Sequence, residues 1–343
     1  MASDTSVTTL VGTGVPGKAS DGPIGTGTAI AEPFGVALDP DGHPCLCDLG
    51  NHRICRVDLQ ARRIETIVGT GRHGHSGDGG PALEADVREP YEIRFDSGGN
   101  LYFVDMPSHV IRRVTSDGSR IETIAGTGEA GFDGDGGPAT EAAFRQPHSI
   151  EIAPDGALFV ADIGNHRIRR IDPHTGVVET FAGTGEPARA VDGGDIASTP
   201  LYGPRTLAFD EHGDLYLTLR EGNAVYRIDM GRRTLHHVAG TGQGGYRGDG
   251  GDARAADLAG PKGISVTRAA LYIADTESHT IRRIDRQSGV ISTVLGDGTR
   301  HDGPDGDPLR CGLARPHGVF AAADGRIFVG DSDNHRVRVL QTR

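Results

Sequence analysis

The chain has 343 residues, of which 53 are glycine and 19 are proline, and short apolar, β-branched runs lie between them. This composition is typical of many short strands joined by tight turns, and it excludes a mainly helical protein. The formal charge of −12 at pH 7 disfavours binding to nucleic acid, and no apolar run is as long as a membrane span. We therefore expect no nucleic-acid partner and no membrane partner.

The first ten residues lack the charged and apolar regions of a signal peptide, and the four cysteines show neither a disulfide nor a zinc pattern. Cys45 and Cys47 stand where the third repeat has Phe159 and Ala161, which predicts buried core positions. From these features we expect reduced thiols, a cytoplasmic location and a monomer.

A proline followed by an apolar run occurs six times along the chain. These prolines are 57 residues apart, except for the last pair at 55, and they are Pro33, Pro90, Pro147, Pro204, Pro261 and Pro316. So regular a period predicts a repeat architecture. We place the repeats at 33–70, 90–127, 147–184, 204–241, 261–297, and 316–343 plus 5–13, within a single domain of residues 1–343.

The third repeat illustrates the four strands expected in each copy. Strands A, B, C and D are predicted at 148–153, 157–162, 167–172 and 177–183, separated by turns that contain Asp-Gly, Gly-Asn and Thr-Gly. Such turn residues accept positive φ and favour antiparallel hairpins. Four antiparallel strands in six copies predict an all-β fold, a six-bladed β-propeller.

The sixth repeat ends after its strand C, and its missing strand D stands at the other end of the chain. The segment Ser6-Val-Thr-Thr-Leu-Val-Gly-Thr-Gly14 matches the strand D copy Arg120-Ile-Glu-Thr-Ile-Ala-Gly-Thr-Gly128. We therefore expect the N-terminal strand to complete blade 6, which satisfies an otherwise open sheet edge.

The segment between strands B and C carries a recurring motif. It reads Val160-Ala-Asp162-Ile-Gly-Asn165-His166-Arg167-Ile168 in the third repeat, with similar copies at Asp48, Asp331 and, more loosely, Asp105 and Asp275. This pattern resembles the signature of NHL repeats, and the resemblance covers nearly the whole chain. It implies a six-bladed propeller; relatives with this fold include binding modules, secreted scaffolds and enzymes such as peptidylglycine amidating lyase.

Two repeated motifs invite a metal interpretation. The motif histidines at 52, 109, 166, 279 and 335 occupy equivalent places in different blades, so we expect them to be spread around the ring, each fixing its turn by a hydrogen bond. The Gly-Asp-Gly-Gly loops before most repeats could hold calcium, but they offer few carboxylates. An Asp side chain that closes its own turn is the favoured interpretation.

The position directly after the repeat proline opens the innermost strand, at the rim of the central channel. Around the ring it reads Phe34, Tyr91, His148, Arg205, Lys262 and His317. Ordinary variation at a solvated rim is one explanation for such a set. The other is a site, because two imidazoles, a phenol, a guanidinium and an ammonium on one axis supply acid/base catalysis and anion binding. We predict catalytic roles for His148, His317 and Tyr91, and substrate binding by Arg205, Lys262 and Phe34.

Blade 4 departs from the motif. Thr218 replaces the strand B aspartate, and the following turn is longer and contains Arg220, which we predict to reach the same face and bind substrate. Drift in one blade is the competing explanation.

The sequence leaves two functional classes open. The first is an enzyme of lyase, isomerase or hydrolase type that acts on a small, carboxylate-bearing anion. The alternative is a non-catalytic scaffold that binds a protein or peptide, which the absence of tryptophan disfavours. The resemblance to the amidating lyase suggests a metal held by three channel-facing histidines; this ring has two, so a divalent metal at His148 and His317 is not favoured, and no cofactor is identified.

Overall fold

The protein forms six sheets of four antiparallel strands arranged in a ring, as the repeat pattern predicts. The computed structural model describes residues 5–25 and 27–342. The outer limits of the predicted domain, residues 1–4 and 343, lie outside the described residues. None of the described helices is long and apolar enough to cross a membrane.

The strands follow the sequence in the order A, B, C, D from the axis outward. Strand A is Pro33–Leu38, Pro90–Phe95, Pro147–Ile152, Pro204–Phe209, Pro261–Val266 and Pro316–Ala321. Strand B is Pro44–Asp48, Leu101–Asp105, Leu158–Asp162, Leu215–Leu219, Ala270–Asp275 and Ile327–Asp331. Strand C is Arg53–Asp58, Val110–Val114, Arg167–Ile171, Ala224–Asp229, Thr280–Asp285 and Arg336–Thr342. Strand D is Arg63–Val68, Ile121–Ala125, Val178–Ala182, Thr234–Ala239, Ile291–Leu295 and Thr5–Gly12.

Short 3₁₀ turns cap the two kinds of loop on one end of the ring. Those between strands B and C are Leu49–Asn51, Met106–Ser108, Ile163–Asn165, Thr276–Ser278 and Ser332–Asn334. Those in the loops that lead into strand A are Ala82–Glu84, Ala139–Glu141, Ala253–Ala255 and Pro308–Arg310.

The N-terminal strand completes blade 6, which confirms the predicted closure. Thr5–Gly12 pairs antiparallel with Arg336–Thr342, and Val7 lies opposite Leu340. Val7 is fully buried in the apolar cluster between blades 5 and 6. One feature was not predicted: Gly22–Pro23 adds a short fifth strand outside blade 1.

The core consists of six apolar clusters, one between each pair of adjacent blades. Strand B is covered by neighbouring blades on both faces, so its sequence is mainly apolar, as in Leu158–Asp162, where every residue is buried. All four cysteines are free and buried, and Cys45 and Cys47 occupy the core positions predicted for them. Because the blades hold each other through these clusters, the inner strands are fixed relative to one axis.

Candidate functional site

A β-bulge projects the residue after each repeat proline toward the axis. In blade 3, Pro147 pairs with Asp162 and Ser149 pairs with Ala161, so His148 is left out of the ladder. Similar register shifts follow the proline in the other five blades. A bulge places two residues opposite one and redirects a side chain. The backbone therefore presents six equivalent side chains to the channel.

The six side chains meet in one connected cluster, which we call the axial ring: Phe34, Tyr91, His148, Arg205, Lys262 and His317. Phe34 stacks on His317 with ring centroids 3.9 Å apart, and it meets Tyr91 edge-on at 4.6 Å. Tyr91 also meets His148 edge-on at 4.6 Å. The structure thus brings together all the predicted ring residues.

The axial ring is more buried than a solvated rim, which corrects the expected setting. His148, Arg205, Lys262 and His317 are between 4% and 7% exposed, and only Phe34 and Tyr91 are half-buried. The cavity that the ring lines has a volume of about 30 Å³, room for a water or two. The aromatic contacts join neighbouring blades around the axis, and Arg205 reaches Tyr91 two blades away, so little space is left inside the ring.

Lys262 and His317 form a hydrogen-bonded pair. The Nζ of Lys262 lies 2.9 Å from Nε2 of His317, whose Nδ1 donates to the carbonyl of Arg315 at 2.8 Å. Because the carbonyl needs a donor, Nε2 is the unprotonated nitrogen and accepts from Lys262. Burial, followed by the charge of Arg205, lowers the pKa of Lys262 to about 7. Burial and the charge of Lys262 hold the pKa of His317 well below its usual value.

Arg205 is a buried cation with a neutral partner. Its Nη2 donates to the hydroxyl of Tyr91 at 2.5 Å, and its guanidinium lies over the Tyr91 ring. Among the described carboxylates none forms a salt bridge with it. Burial lowers the pKa of Arg205, as expected for a guanidinium without a close counter-ion.

His148 keeps one ring nitrogen available. Its Nδ1 donates to the carbonyl of Gln146 at 2.6 Å, which leaves Nε2 as an acceptor with no hydrogen-bond partner among the described residues. Burial, and then the charge of Arg205, holds its pKa well below the usual value. The imidazole is therefore neutral at physiological pH.

Three charged residues below the ring were missed from the sequence. Arg94 binds Glu92 at 2.6 Å and Glu151 at 2.9 Å, and Glu92 and Arg94 line the same cavity as the axial ring. Burial raises the pKa of Glu92. The signal was present, because the third residue of strand A is Gly, Ser or Thr in the other five blades and a carboxylate only at Glu92.

The turn between strands B and C of blade 4 has four residues, 220–223, as the blade 3 turn at 163–166 does, so the predicted lengthening is wrong; Leu219, not Thr218, stands at the position of Asp162. This turn contains Arg220. Its charge contributes to the lowered pKa of His148 and of Lys262. Arg220 pairs with Glu221 at 2.5 Å, yet the buried Nε of Arg220 and Oε2 of Glu221 lack hydrogen-bond partners in the described part of the chain. Such unpaired buried atoms are uncommon, and a bound anion would satisfy the Nε of Arg220.

The motif histidines fix their turns by hydrogen bonds to the backbone, as predicted, and these bonds reach the neighbouring blade. Nδ1 of His166 accepts from the backbone N–H of Gly203, just before the proline of the next blade. The same bond joins blades 2 and 3, 5 and 6, and 6 and 1. Each histidine has a positive φ, and in blade 4 Asn223 does the same through Oδ1, to Gly260.

The Gly-Asp-Gly-Gly loops differ from the prediction that Asp closes its own turn. Asp78 binds the fully buried Arg112 of the following blade at 2.6 Å, and Asp135 and Asp249 bind Arg169 and Arg282 in the same way. In these three blades the loop aspartate therefore binds an arginine of strand C, and the ion pair attaches the loop to the blade.

The two ring histidines do not fit a divalent metal. Both nitrogens of His317 are engaged, and the ammonium of Lys262 stands where a cation would approach Nε2. Within residues 5–25 and 27–342, no group of three or more His, Cys, Asp or Glu is placed to hold a metal ion.

Comparisons with known proteins agree with the repeat pattern. The family model described as "Teneurin NHL domain" matches residues 232–314, and the "NHL repeat" model matches residues 144–171 and 313–340. The Arabidopsis thaliana protein SUPPRESSOR OF QUENCHING 1, chloroplastic, is 27% identical over 77% of this chain and 26% of its own length. NHL repeat-containing protein 2 of Gallus gallus is 27% identical over 74% of this chain and 38% of its own length. The chain thus spans well under half the length of these curated relatives.

Solved structures share the fold at low sequence identity. An auxiliary nutrient binding protein from Bacteroides ovatus has a TM-score of 0.72 at 17% identity, covering 99% of this chain and 77% of that one. A gluconolactonase from Xanthomonas campestris has 0.61 at 14%, covering 98% and 89%. A virginiamycin B lyase from Staphylococcus aureus has 0.54 at 16%, covering 91% and 96%. At these identities the likeness concerns the fold alone.

Proposed function

The chain is an NHL-repeat β-propeller, and we propose that it is an enzyme of lyase, isomerase or hydrolase type that acts on a small anion at the mouth of the channel. The proposal assigns anion binding to Arg205, Lys262 and Arg220, and proton transfer to His148, His317 and Tyr91. Phe34 forms the apolar wall beside them.

The observation that carries the proposal is that Arg205 is buried and forms no salt bridge with the described carboxylates. This guanidinium is 6% exposed, and its hydrogen bond is to a neutral hydroxyl. A buried cation without a counter-ion costs stability, so a fold that retains one has a use for it. A carboxylate would supply the missing counter-ion through a bidentate pair with the planar guanidinium.

Anion binding would also raise the pKa of the proposed general base, His148. After burial, the charge of Arg205 is the largest cause of the low pKa of His148. A carboxylate beside Arg205 offsets that charge and raises the pKa of His148 toward the range in which an imidazole is an effective general base. Nε2 of His148 then accepts the substrate proton, and the Tyr91 hydroxyl, hydrogen-bonded to Arg205, serves as the acid.

The size of the cavity sets where the substrate lies. A volume of about 30 Å³ admits water but no organic acid. The substrate therefore occupies the mouth above the axial ring, or enters when the half-buried Phe34 and Tyr91 turn aside.

A thermal-shift panel tests the anion site. Small 2-oxo acids, hydroxy acids, unsaturated acids and lactones are each added to the wild type, Arg205→Met and Arg268→Met. Arg268 is exposed in the A–B turn of blade 5, so its loss is a matched change of charge at the other end of the blade. We expect at least one carboxylate to raise the Tm of the wild type and of Arg268→Met but not of Arg205→Met. Equal shifts in all three proteins would contradict the proposal.

A non-catalytic scaffold is the second candidate, and the small volume of the cavity that the axial ring lines favours it. The discriminating observation is turnover. If a carboxylate binds through Arg205 and is converted by the wild type but not by His148→Asn, the protein is an enzyme. Binding without conversion of any member of the panel supports a binding protein.

A further inference from the structure

Lysine is nearly absent from this protein, and one of its two lysines lies in the axial ring. Of 35 basic residues only Lys18 and Lys262 are lysine, and the rest are arginine. Lys18 is exposed, whereas Lys262 is 4% exposed and lines the cavity. Since arginine supplies positive charge elsewhere, a point charge alone does not account for lysine at this position.

The surroundings of Lys262 keep its amine reactive. Among the described residues its carboxylate neighbour is Glu277, which is 3.5 Å away and is shared with Arg315; Arg315 binds both Glu277 oxygens at 2.9 Å and 3.1 Å. The charges of Arg205 and Arg315 act with burial to lower the pKa of Lys262 to about 7. A substantial fraction of the amine is therefore neutral at physiological pH, and the neutral amine is the nucleophilic form.

His317 is placed to move the proton that such an attack releases. Nε2 of His317 already accepts from Lys262 at 2.9 Å, and the carbonyl of Arg315 fixes this tautomer. Ser332 Oγ lies 3.0 Å from Nδ1 and holds the ring from the same side.

We propose that Lys262 forms an imine with the carbonyl carbon of a small 2-oxo acid whose carboxylate binds Arg205. The inference rests on the proposed function, because it uses the same anion site. His317 Nε2 first takes a proton from the ammonium of Lys262. The Nζ lone pair then forms the C–N bond as the carbonyl π bond breaks, and the resulting alkoxide takes that proton from His317 to become the carbinolamine hydroxyl. His317 next takes a second proton from the nitrogen and passes it to this hydroxyl, which leaves as water while the nitrogen lone pair forms the C=N bond. In sum, the ammonium form and the ketone give a protonated imine and one water, with no oxidant or reductant needed.

Reductive trapping tests the inference on the full chain. The protein is incubated with pyruvate and cyanoborohydride, whose hydride reduces the imine to a stable secondary amine, and adducts are located by peptide mass spectrometry. Glyoxylate and 2-oxobutyrate are run in parallel. The variants are Lys262→Arg, which keeps the charge but forms no such imine, and Lys18→Arg as the control that removes the other lysine. Circular dichroism and Tm establish that both fold.

We expect one adduct, on Lys262, in the wild type and in Lys18→Arg, and none in the channel of Lys262→Arg. The rate of trapping should rise with pH around the Lys262 pKa of about 7, and Arg205→Met should lower it by about tenfold or more. No adduct on Lys262 with any of the three acids, or equal labelling of Lys18, overturns the inference.

Thermal shift on the same samples separates this failure from failure of the proposed function. If pyruvate raises the Tm through Arg205 but forms no adduct, Lys262 is not the nucleophile and the anion site stands. If no member of the carboxylate panel gives an Arg205-dependent shift and no adduct forms, both proposals fall.

Discussion

At the residue scale, one backbone position carries the candidate chemistry. The sequence identifies the six side chains of the axial ring, because the position after each proline varies while its neighbours repeat. It does not predict that these side chains touch, since side-chain length and rotamer decide whether they meet across an axis. Nor does it predict that Arg205 pairs with Tyr91 and Lys262 with His317, because these contacts join different blades.

The first residue-scale prediction concerns stability and pH at Lys262. Its pKa is about 7 in the folded state and about 10.4 in an unfolded chain. Between these values the unfolded chain holds the extra proton, so raising the pH stabilises the folded state. Relative to Lys262→Met, the wild type should gain at most about 1.4 kcal/mol per pH unit above about pH 7, and nothing below it. Urea unfolding of both proteins from about pH 6 to 9 measures this; parallel curves would refute the low pKa.

The second residue-scale prediction concerns the shape of the guanidinium. Arg205→Lys keeps the charge but loses the planar fork that holds both carboxylate oxygens. We expect the Kd of a carboxylate that binds the wild type to rise by about tenfold, with little change in Tm. Isothermal titration calorimetry measures the Kd, with Arg268→Lys as control. Unchanged affinity would remove Arg205 from the site.

At the element scale, two devices hold the ring together: the histidine bonds between blades and the N-terminal strand. The sequence predicts both the recurrence of the histidines and the strand exchange, because each is visible as a repeated pattern. The histidine partner could not be predicted, since it lies in the loop before the next blade and is a backbone N–H, which any residue other than proline provides.

The first element-scale prediction uses the chain's own alternative to histidine. His166→Ala removes the acceptor for Gly203 and places alanine at a φ of 52°, so we expect a loss of about 1–2 kcal/mol of unfolding free energy. His166→Asn should recover most of it, because Asn223 makes the same bond in blade 4. Urea denaturation of the wild type and both variants measures these free energies of unfolding. If His166→Asn lowers the free energy of unfolding as much as His166→Ala does, the inter-blade hydrogen bond is not what His166 contributes to stability.

The second element-scale prediction concerns blade closure by Thr5–Gly12. Val7 is fully buried and pairs with Leu340, whereas Thr8 on the same strand is exposed. Val7→Ala should lower the unfolding free energy by about 2 kcal/mol, and Thr8→Ala should change it little. Deleting residues 1–12 should abolish soluble expression, because it opens the edge of blade 6. A truncated protein as stable as the full chain would contradict the closure.

At the scale of the whole molecule, closure of the ring of blades brings the bulges after the six repeat prolines together in one candidate site. Six bulges at equivalent positions bring residues from the whole chain onto one axis, where four polar side chains are buried together. The repeat period predicts this convergence, because a closed ring has one axis. The repeat period does not predict how far the side chains fill the space on the axis. It also does not predict the charged group below the ring, since Glu92, Arg94 and Glu151 come from two blades and have no equivalent in the other blades.

The central claim is that the axial ring is an anion site, and a crystal structure tests it most directly. The crystal is soaked with the carboxylate that gives the largest Arg205-dependent thermal shift. The account predicts the carboxylate at the channel mouth, within hydrogen-bond distance of Arg205 and on the Lys262 side of the axis. A ligand on the opposite face, or only water beside Arg205 with the carboxylate bound elsewhere, would contradict it.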